Sequence, residues 1–469
     1  MAMHPLSPAD AAWLHNDGPV NQAIMTGVLL TKKPLDFATV RAVYQERLQG
    51  FPRFRQRVVE GGLGIATPYW EDMPHFDIDQ HLHHIALAAP HDETALRALV
   101  SDITSTPLDH AQPLWQVHIV DGVAGGSAVV MRCHHCIADG TGMMAVANRL
   151  FDAEPGPWTP SMTSPMPVAS NGTGFMAMAD AVIHAAAHPR QAINHAAAVI
   201  GGTGMLIGEL LKKDDPQSPL KGEFGLGKRV AWSHPVAIAD VKAIGARHDA
   251  KVNDVLVAAM TGALRSYLAG RGIDVNNTTV RAMVPVDLRA PEDAEQLGNA
   301  FGLVVLELAI TKAGANQRLT VTKERMDALK RSPEPVAARA LLEVLGRVPK
   351  ALEDFSNNLF GKKASLVMTN VVGPRETLHL AGVPITRMLA WAPHPGKQLG
   401  MAISILSYNG MATLTVISDS HLLPDPERIA EHFNEEFQGM LSGKPKTTAK
   451  PAVNKVMAKK VAARRAKSA

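Results

Sequence analysis

Two cysteines in 469 residues are too few for a disulfide framework, so a reducing, cytoplasmic compartment is expected. Charged residues are also sparse, at 19% against 46% hydrophobic, which suits a soluble globular protein with a rather apolar surface and no disorder except at the ends. No stretch makes a good membrane span. The nearest, "AINHAAAVIGGTGMLIGELL" (192–211), carries Asn194, His195, Glu209 and four glycines, and reads better as a surface-lying or buried helix. The opening "MAMHPLSPADAAWLHNDG" lacks a basic segment followed by an apolar run, so a signal peptide is not expected. There is no second CxxC to complete a zinc site, and no G-x-S-x-G elbow to suggest a serine hydrolase.

The length suits two domains of roughly 200 residues each. The expected division is 1–153, a Pro/Gly/Ser/Met/Ala-rich connection over 154–221 that is helical in part from Phe175 to Leu211, a second unit over 222–443, and a tail over 444–469. The net charge of +3 hides an asymmetry. The tail holds nine Lys or Arg and no acid, leaving 38 basic residues against 44 acidic ones elsewhere. Such a tail suits adhesion to anionic lipid or nucleic acid, or serves equally well as a solvated appendage; no specific nucleic-acid partner is expected.

Periodicity places helices after Asp36, with Phe37, Val40, Tyr44 and Leu48 at helical spacing, over "ETALRALVSDITSTPLD", and over "VNDVLVAAMTGALRSYLAG" with Asn253 at its cap. Another, "DPERIAEHFNEEFQGML", puts Ile429, Phe433, Phe437 and Met440 on one side. The runs "LWQVHIVDG" and "SAVVMRCHH", joined through "VAGG", predict a hairpin; "TTVRAMVPVDLR", "FGLVVLELAI", "ASLVMTNVVGP" and "MAISILSYNGMATLTVISD" supply further strands. Helices and strands alternate in both halves, so the class is α/β or α+β, as two similar layered units facing each other.

The hairpin delivers "MRCHHCIADGTG" (131–142), which holds both cysteines. On a strand Cys133 and His135 point one way and His134 and Cys136 the other, so the thiols cannot share a metal and read instead as packing residues. Two decoys fall away. "HLHH" (81–84) reads as an exposed polar strand edge, and "GEFGLGKR" has the phosphate-loop spacing at Gly222, Gly227 and Lys228 but Arg229 where Ser or Thr must hold magnesium. What remains is His134, His135, Asp139 and Gly140. A histidine leaving a strand can take a proton from a hydroxyl in a cavity, while Asp139 curls back through the turn that Gly140 permits, fixing the loop or holding an arginine; the same pair also suits a hydrogen-bonded structural role.

H-H-x-x-x-D-G resembles the signature of acyltransferases of the chloramphenicol acetyltransferase-like superfamily. Together with "LSPADAAWL", "PRFRQRVV", "TPLDHAQPLWQVHIVDG", "MVPVDLR", "LGNAFG", "TNVVGP" and "SYNGMATLTVISD", the chain from about Leu6 to Met440 is similar to the bacterial wax ester synthase/acyl-CoA:diacylglycerol acyltransferase family. The resemblance implies two chloramphenicol acetyltransferase-like subdomains forming a pseudo-dimer, with the active site and a tunnel at their interface. It implies His135 as catalytic base, His134 and Asp139 in support, and partly structural roles for Pro113, Leu114 and Trp115 ("PLW") and for Asn253 and Asp254 ("ND"). Gln116 stands where the family commonly has an acid, and Asp287, Thr369 and Val372 depart from its Ser, Ser and Pro.

The expected chemistry is direct transfer of a long acyl chain from acyl-CoA, a substrate here, to a diacylglycerol or a fatty alcohol, without a covalent acyl-enzyme. His135 removes the hydroxyl proton, and a backbone N–H near Gly140 or the Asn253 amide holds the oxyanion. Asp139 is expected to brace the loop through Arg281 or Arg289. No metal or separate cofactor is expected, and a peripheral seat on a membrane or lipid body is. Alternatives left open are a condensation enzyme using a carrier-protein thioester and a noncatalytic lipid-binding protein.

Overall fold

The computed structural model describes residues 4–60, 68–159, 218–290, 293, 296–331, 362–393 and 399–443. The expected helix over 175–211, most of the 154–221 connection and the basic tail lie outside the described residues.

Two sheets dominate. The first is six-stranded, in the order β13 (His379–Leu380), β14 (Val383–Trp391), β2 (Ile24–Thr31), β7 (Gly126–His134), β6 (Trp115–Val123) and β5 (Leu82–Ala86). The second runs β11 (Phe301–Glu307), β10 (Arg281–Asp287), β12 (Leu366–Val372), β15 (Met401–Tyr408), β16 (Met411–Asp419) and β8 (Lys228–Trp232), with β9 (Val236–Ala237) also paired to β16. A small sheet of β1 (His4–Pro5), β4 (Tyr69–Asp72) and β3 (Gln56–Val59) closes one end.

The helices are α1 (Pro8–His15), α2 (Phe37–Arg47), α3 (Glu93–Ser105), α4 (Gly140–Leu150), α5 (Ile238–Ala246), α6 (Val252–Gly270), α7 (Ala315–Lys330) and α8 (Glu427–Ser442). Asp36 caps α2 by accepting the Thr39 N–H at 2.8 Å, and Val40 and Tyr44 turn inward from it. Ile429, Phe433, Phe437 and Met440 are all buried along α8. Asn253 is not the cap of α6. That place is Lys251, whose N–H donates to Asp254 Oδ2 at 2.9 Å, because only the carboxylate at the third helical position can reach back across the turn.

The predicted hairpin forms through Ala124 (φ 49°) and Gly125 (φ 84°), two left-handed residues that match the strand twist of a tight turn. Period-two alternation gives β7 two separate jobs. Val129, Met131 and Cys133 meet a core that includes Val40, Tyr44 and Leu150 from α2 and α4, whereas Ala128 and Val130 face Met283, Val367 and Trp232 across the gap between the sheets. A third core lies behind the second sheet, beneath α5 to α8.

Strand β14 lies within the expected 222–443 unit, yet it pairs with β2 of the first sheet, Leu389 opposite Val28 and Trp391 opposite Thr26. Lys228 adds a second tie. It opens β8, is buried, and its Nζ donates to Val20 O at 2.8 Å and to Asp419 Oδ2 at 3.0 Å. No described helix is long and apolar enough to cross a membrane.

Candidate active site

The alternation expected to run on to Cys136 stops at His134, the last residue of β7. His135 N–H donates to Ala23 O, Ile137 N–H returns to His134 O, and Cys136 N–H donates to His134 Nδ1 at 3.1 Å. These bonds curl the chain into a turn that carries His135 off the sheet. Cys133 and Cys136 are buried free thiols, and burial pushes both far above the range where a thiolate forms. His134 is fully buried; loss of solvent lowers its pKa to about 4, leaving it a neutral acceptor in the turn.

His135 is held on three sides. Its ring stacks on Trp13 with centroids 4.0 Å apart, and Phe301 lies 5.9 Å away. Its Nδ1 is 2.8 Å from Asn299 Oδ1. The Asn299 amide nitrogen donates to Asp10 Oδ1 at 2.8 Å and to His135 O at 2.7 Å, which fixes the amide with its oxygen toward the imidazole. An oxygen there requires a proton on Nδ1, so the neutral ring keeps Nε2 free to accept one. Asp10, fully buried, is anchored by Arg53 at 3.0 Å, and Arg53 also donates to Ile137 O at 2.7 Å. Burial lowers the pKa of His135, opposed chiefly by Asp139 and then by the Asn299 bond.

Asp139 caps α4, Oδ1 accepting the Gly142 N–H at 2.9 Å, while Oδ2 accepts Arg289 Nη2 at 2.9 Å and Ala300 N–H at 3.0 Å. Of the two arginines considered, Arg289 therefore meets the aspartate. Gly140 is the first residue of α4 and does not have a positive φ; a Cβ there would meet only Val371 at 3.8 Å, so helix capping by Asp139, not glycine freedom, makes the turn. Gly140 and Thr141 open α4 and line the cavity, and among the described residues no backbone acceptor takes their N–H groups.

The remaining expected residues fall in supporting places. Leu114 O accepts the His134 N–H at 2.9 Å, Pro113 O accepts the Trp115 N–H, and Trp115 Nε1 donates to Phe54 O at 2.9 Å. Asp254 is buried in its capping box. Asn253 does not line the cavity; its Oδ1 instead accepts Asn370 Nδ2 at 2.6 Å, and Asn370 does line it. The "HLHH" edge is corrected at its first residue. His81 is buried, its Nδ1 2.8 Å from Trp115 O and its ring stacked on Trp115, because it precedes β5 and turns under the sheet.

The cavity beside His135 measures about 500 Å³, within the range of small-molecule sites. It borders both faces of the first sheet. On one side it is lined by Tyr44, Leu48, Met131, Met143, Leu150 and Phe151, under α2 and α4; on the other it enters the gap between sheets, past Thr26, Arg132, Met283, Leu303, Val367 and Ser404. Asp10, Trp13 and Asn299 were not singled out as site residues in the sequence, although they lie within the stretches "LSPADAAWL" and "LGNAFG" that carry the family resemblance.

A family model described as the wax ester synthase/diacylglycerol acyltransferase catalytic domain matches residues 6–256, and one described as the WS/DGAT C-terminal domain matches residues 297–441. A Mycobacterium tuberculosis protein named as a probable diacylglycerol O-acyltransferase is 26% identical over 456 residues, covering 92% of this chain and 95% of that protein. Another M. tuberculosis protein, whose name makes it a putative diacylglycerol O-acyltransferase, is 27% identical over 463 residues, covering 93% of this chain and 91% of that protein. Among solved structures, the wax ester synthase/diacylglycerol acyltransferase of Marinobacter aquaeolei superposes with TM-score 0.69 at 20% identity, over 94% of this chain and 99% of that one. The first condensation domain of the calcium-dependent antibiotic synthetase follows at TM-score 0.62 and 18% identity, over 94% and 96%.

Proposed function

We propose, from the premise that this chain belongs to the wax ester synthase/diacylglycerol acyltransferase family, that it moves a long-chain acyl group from acyl-CoA to the hydroxyl of a diacylglycerol or a fatty alcohol, with His135 as general base. Membership makes the chain an acyltransferase; the acceptor and the residue roles are the proposal. The observation that carries it is the Asn299–His135 bond, which leaves Nε2 as the unprotonated nitrogen at a cavity bordered by both sheets. Nε2 takes the acceptor's hydroxyl proton as the oxygen attacks the thioester carbon, and returns it to the departing CoA sulfur as the C–S bond breaks. The developing oxyanion is met by the Gly140 and Thr141 N–H groups, where the dipole of α4 favours negative charge. Asp139, paired with Arg289, fixes that helix end and has no direct part in proton transfer.

The apolar arm under α2 and α4 suits the acyl chain, which leaves the gap between sheets for the acceptor. Such acceptors reside in membranes and lipid bodies, and a peripheral seat there fits Val372, which is 76% exposed and borders the cavity. Release of free CoA from palmitoyl-CoA, measured with dioleoylglycerol and with hexadecanol across donors of increasing length, tests the reading. Transfer to either alcohol is expected. CoA release that depends on neither acceptor would contradict it.

A further inference from the structure

Among the described residues, Arg132 is a buried cation without a counter-ion. It projects from β7 into the gap between the sheets, 2% exposed, in a cross-strand row that reads Trp391, Thr26, Arg132, Gln116. Among the described residues its hydrogen bonds all go to neutral oxygens: Nη1 to Thr106 Oγ1 at 3.3 Å and Gln116 Oε1 at 3.2 Å, and Nη2 to Thr106 O. Among the described residues it forms no salt bridge, and Nε has no partner at all. A guanidinium taken out of water with only neutral partners is costly, and five N–H groups in a fixed fork are made for a carboxylate. The direct cross-strand neighbour, Gln116, is neutral where the resembling family commonly has an acid. Burial has already lowered the arginine's pKa to about 10, with no opposing carboxylate, so the group stays charged at neutral pH.

We propose that Arg132 forms an anion subsite in the acceptor arm of the cavity, and that it takes the carboxylate of an alcohol whose hydroxyl is presented to His135. A carboxylate balances the single positive charge, whereas a phosphate monoester would bring about −1.5 to −2 into a gap walled by Met283, Leu303, Val367 and Trp391. Arg132 and His135 stand three positions apart and the chain turns after His134, so their backbones are at most about 10 Å apart, and the fitting acceptor is a medium-chain hydroxy acid with its two polar groups at opposite ends. No new chemistry is needed, since the acyl group passes to the hydroxyl as before and the carboxylate remains unreacted. The substrate role rests on the acyltransferase reading of His135, but the binding role does not.

The test uses the full chain with 10-hydroxydecanoate and its methyl ester, which differ in charge at one end only. Calorimetric binding of each without CoA is measured beside acyl transfer from palmitoyl-CoA, in wild type and in Gln116→Glu, which supplies the missing carboxylate from a residue that does not itself line the cavity. The acid is expected to bind the wild type about tenfold or more tightly than the ester, as a charge-assisted bond implies, and to show a KM lower by the same factor. Gln116→Glu should abolish that preference and leave transfer to the methyl ester intact. Equal binding of acid and ester by the wild type, or a preference that survives in Gln116→Glu, overturns the subsite. Tight, Gln116→Glu-sensitive binding of the acid with transfer to neither alcohol would keep the subsite and overturn the proposed function.

Discussion

Replacing Asn299 by alanine separates orientation of His135 from its presence. The substitution removes the acceptor 2.8 Å from His135 Nδ1 and the amide donors at 2.8 Å to Asp10 and 2.7 Å to His135 O. Asp10 keeps its Arg53 partner and the backbone N–H of residue 299 at 3.0 Å, so the main structural loss is at His135 O, worth about 1–3 kcal/mol of stability for an unsatisfied buried group. Catalysis loses more. Nothing then selects the Nδ1–H tautomer, and the ring is held only by its 4.0 Å stack on Trp13 and its contact with Phe301 at 5.9 Å. A misplaced or mis-protonated base costs on the order of 10²–10³ in kcat, or about 2.7–4 kcal/mol of barrier.

The pH profile of Asn299→Ala gives a second, directional readout. The rate rises with pH as His135 becomes neutral, and burial sets that limb below the ordinary histidine value of 6.5. The Asn299 bond works against burial, raising the pKa, so its loss moves the limb further toward acid while the plateau falls. Mere loosening would let water in and move the limb toward alkaline pH. The assay is CoA release from palmitoyl-CoA with hexadecanol between pH 5 and 8, with circular dichroism to check the fold. A plateau within threefold of wild type, or a limb that moves up, would refute the orienting role.

Arg289→Ala leaves Asp139 buried without its cation and should cost about 3–5 kcal/mol, seen as a fall in the urea midpoint, together with loss of activity; an unchanged midpoint would show that the pair does not brace α4. Acid should destabilise the fold before it protonates the buried site. The unfolded chain takes up a proton at His134 near pH 6.5 and the folded chain only near 4, so stability is full above 6.5 and is lost as pH falls toward 4, by about 3 kcal/mol from this residue. Urea titrations at pH 7 and pH 5 on wild type and His134→Gln check this, since the variant should lose less on acidification.

Much of the secondary structure was legible because it depends on neighbours in the chain. The α2 cap at Asp36, the β6–β7 hairpin and the inward face of α8 follow from local spacing. The site was legible in part: the strand end that presents His135, and the choice of two arginines for Asp139, of which the structure selects Arg289. What escaped depends on contacts between distant segments. Asn299 reaches His135 across 164 positions and Asp10 across 289, and no periodicity reports such a meeting. β14 crossing into the first sheet and His81 turning under Trp115 are likewise set by tertiary pairing. Asn253 looked like a site residue by its motif, yet its side chain supports Asn370 instead.

The central claim is that His135 Nε2 takes the acceptor's proton. The most direct measurement is acyl transfer from palmitoyl-CoA to hexadecanol and to dioleoylglycerol by His135→Ala, with its unfolding midpoint measured alongside. The account predicts loss of transfer to both acceptors with the fold retained. Transfer at near wild-type rates by a folded His135→Ala protein would contradict it.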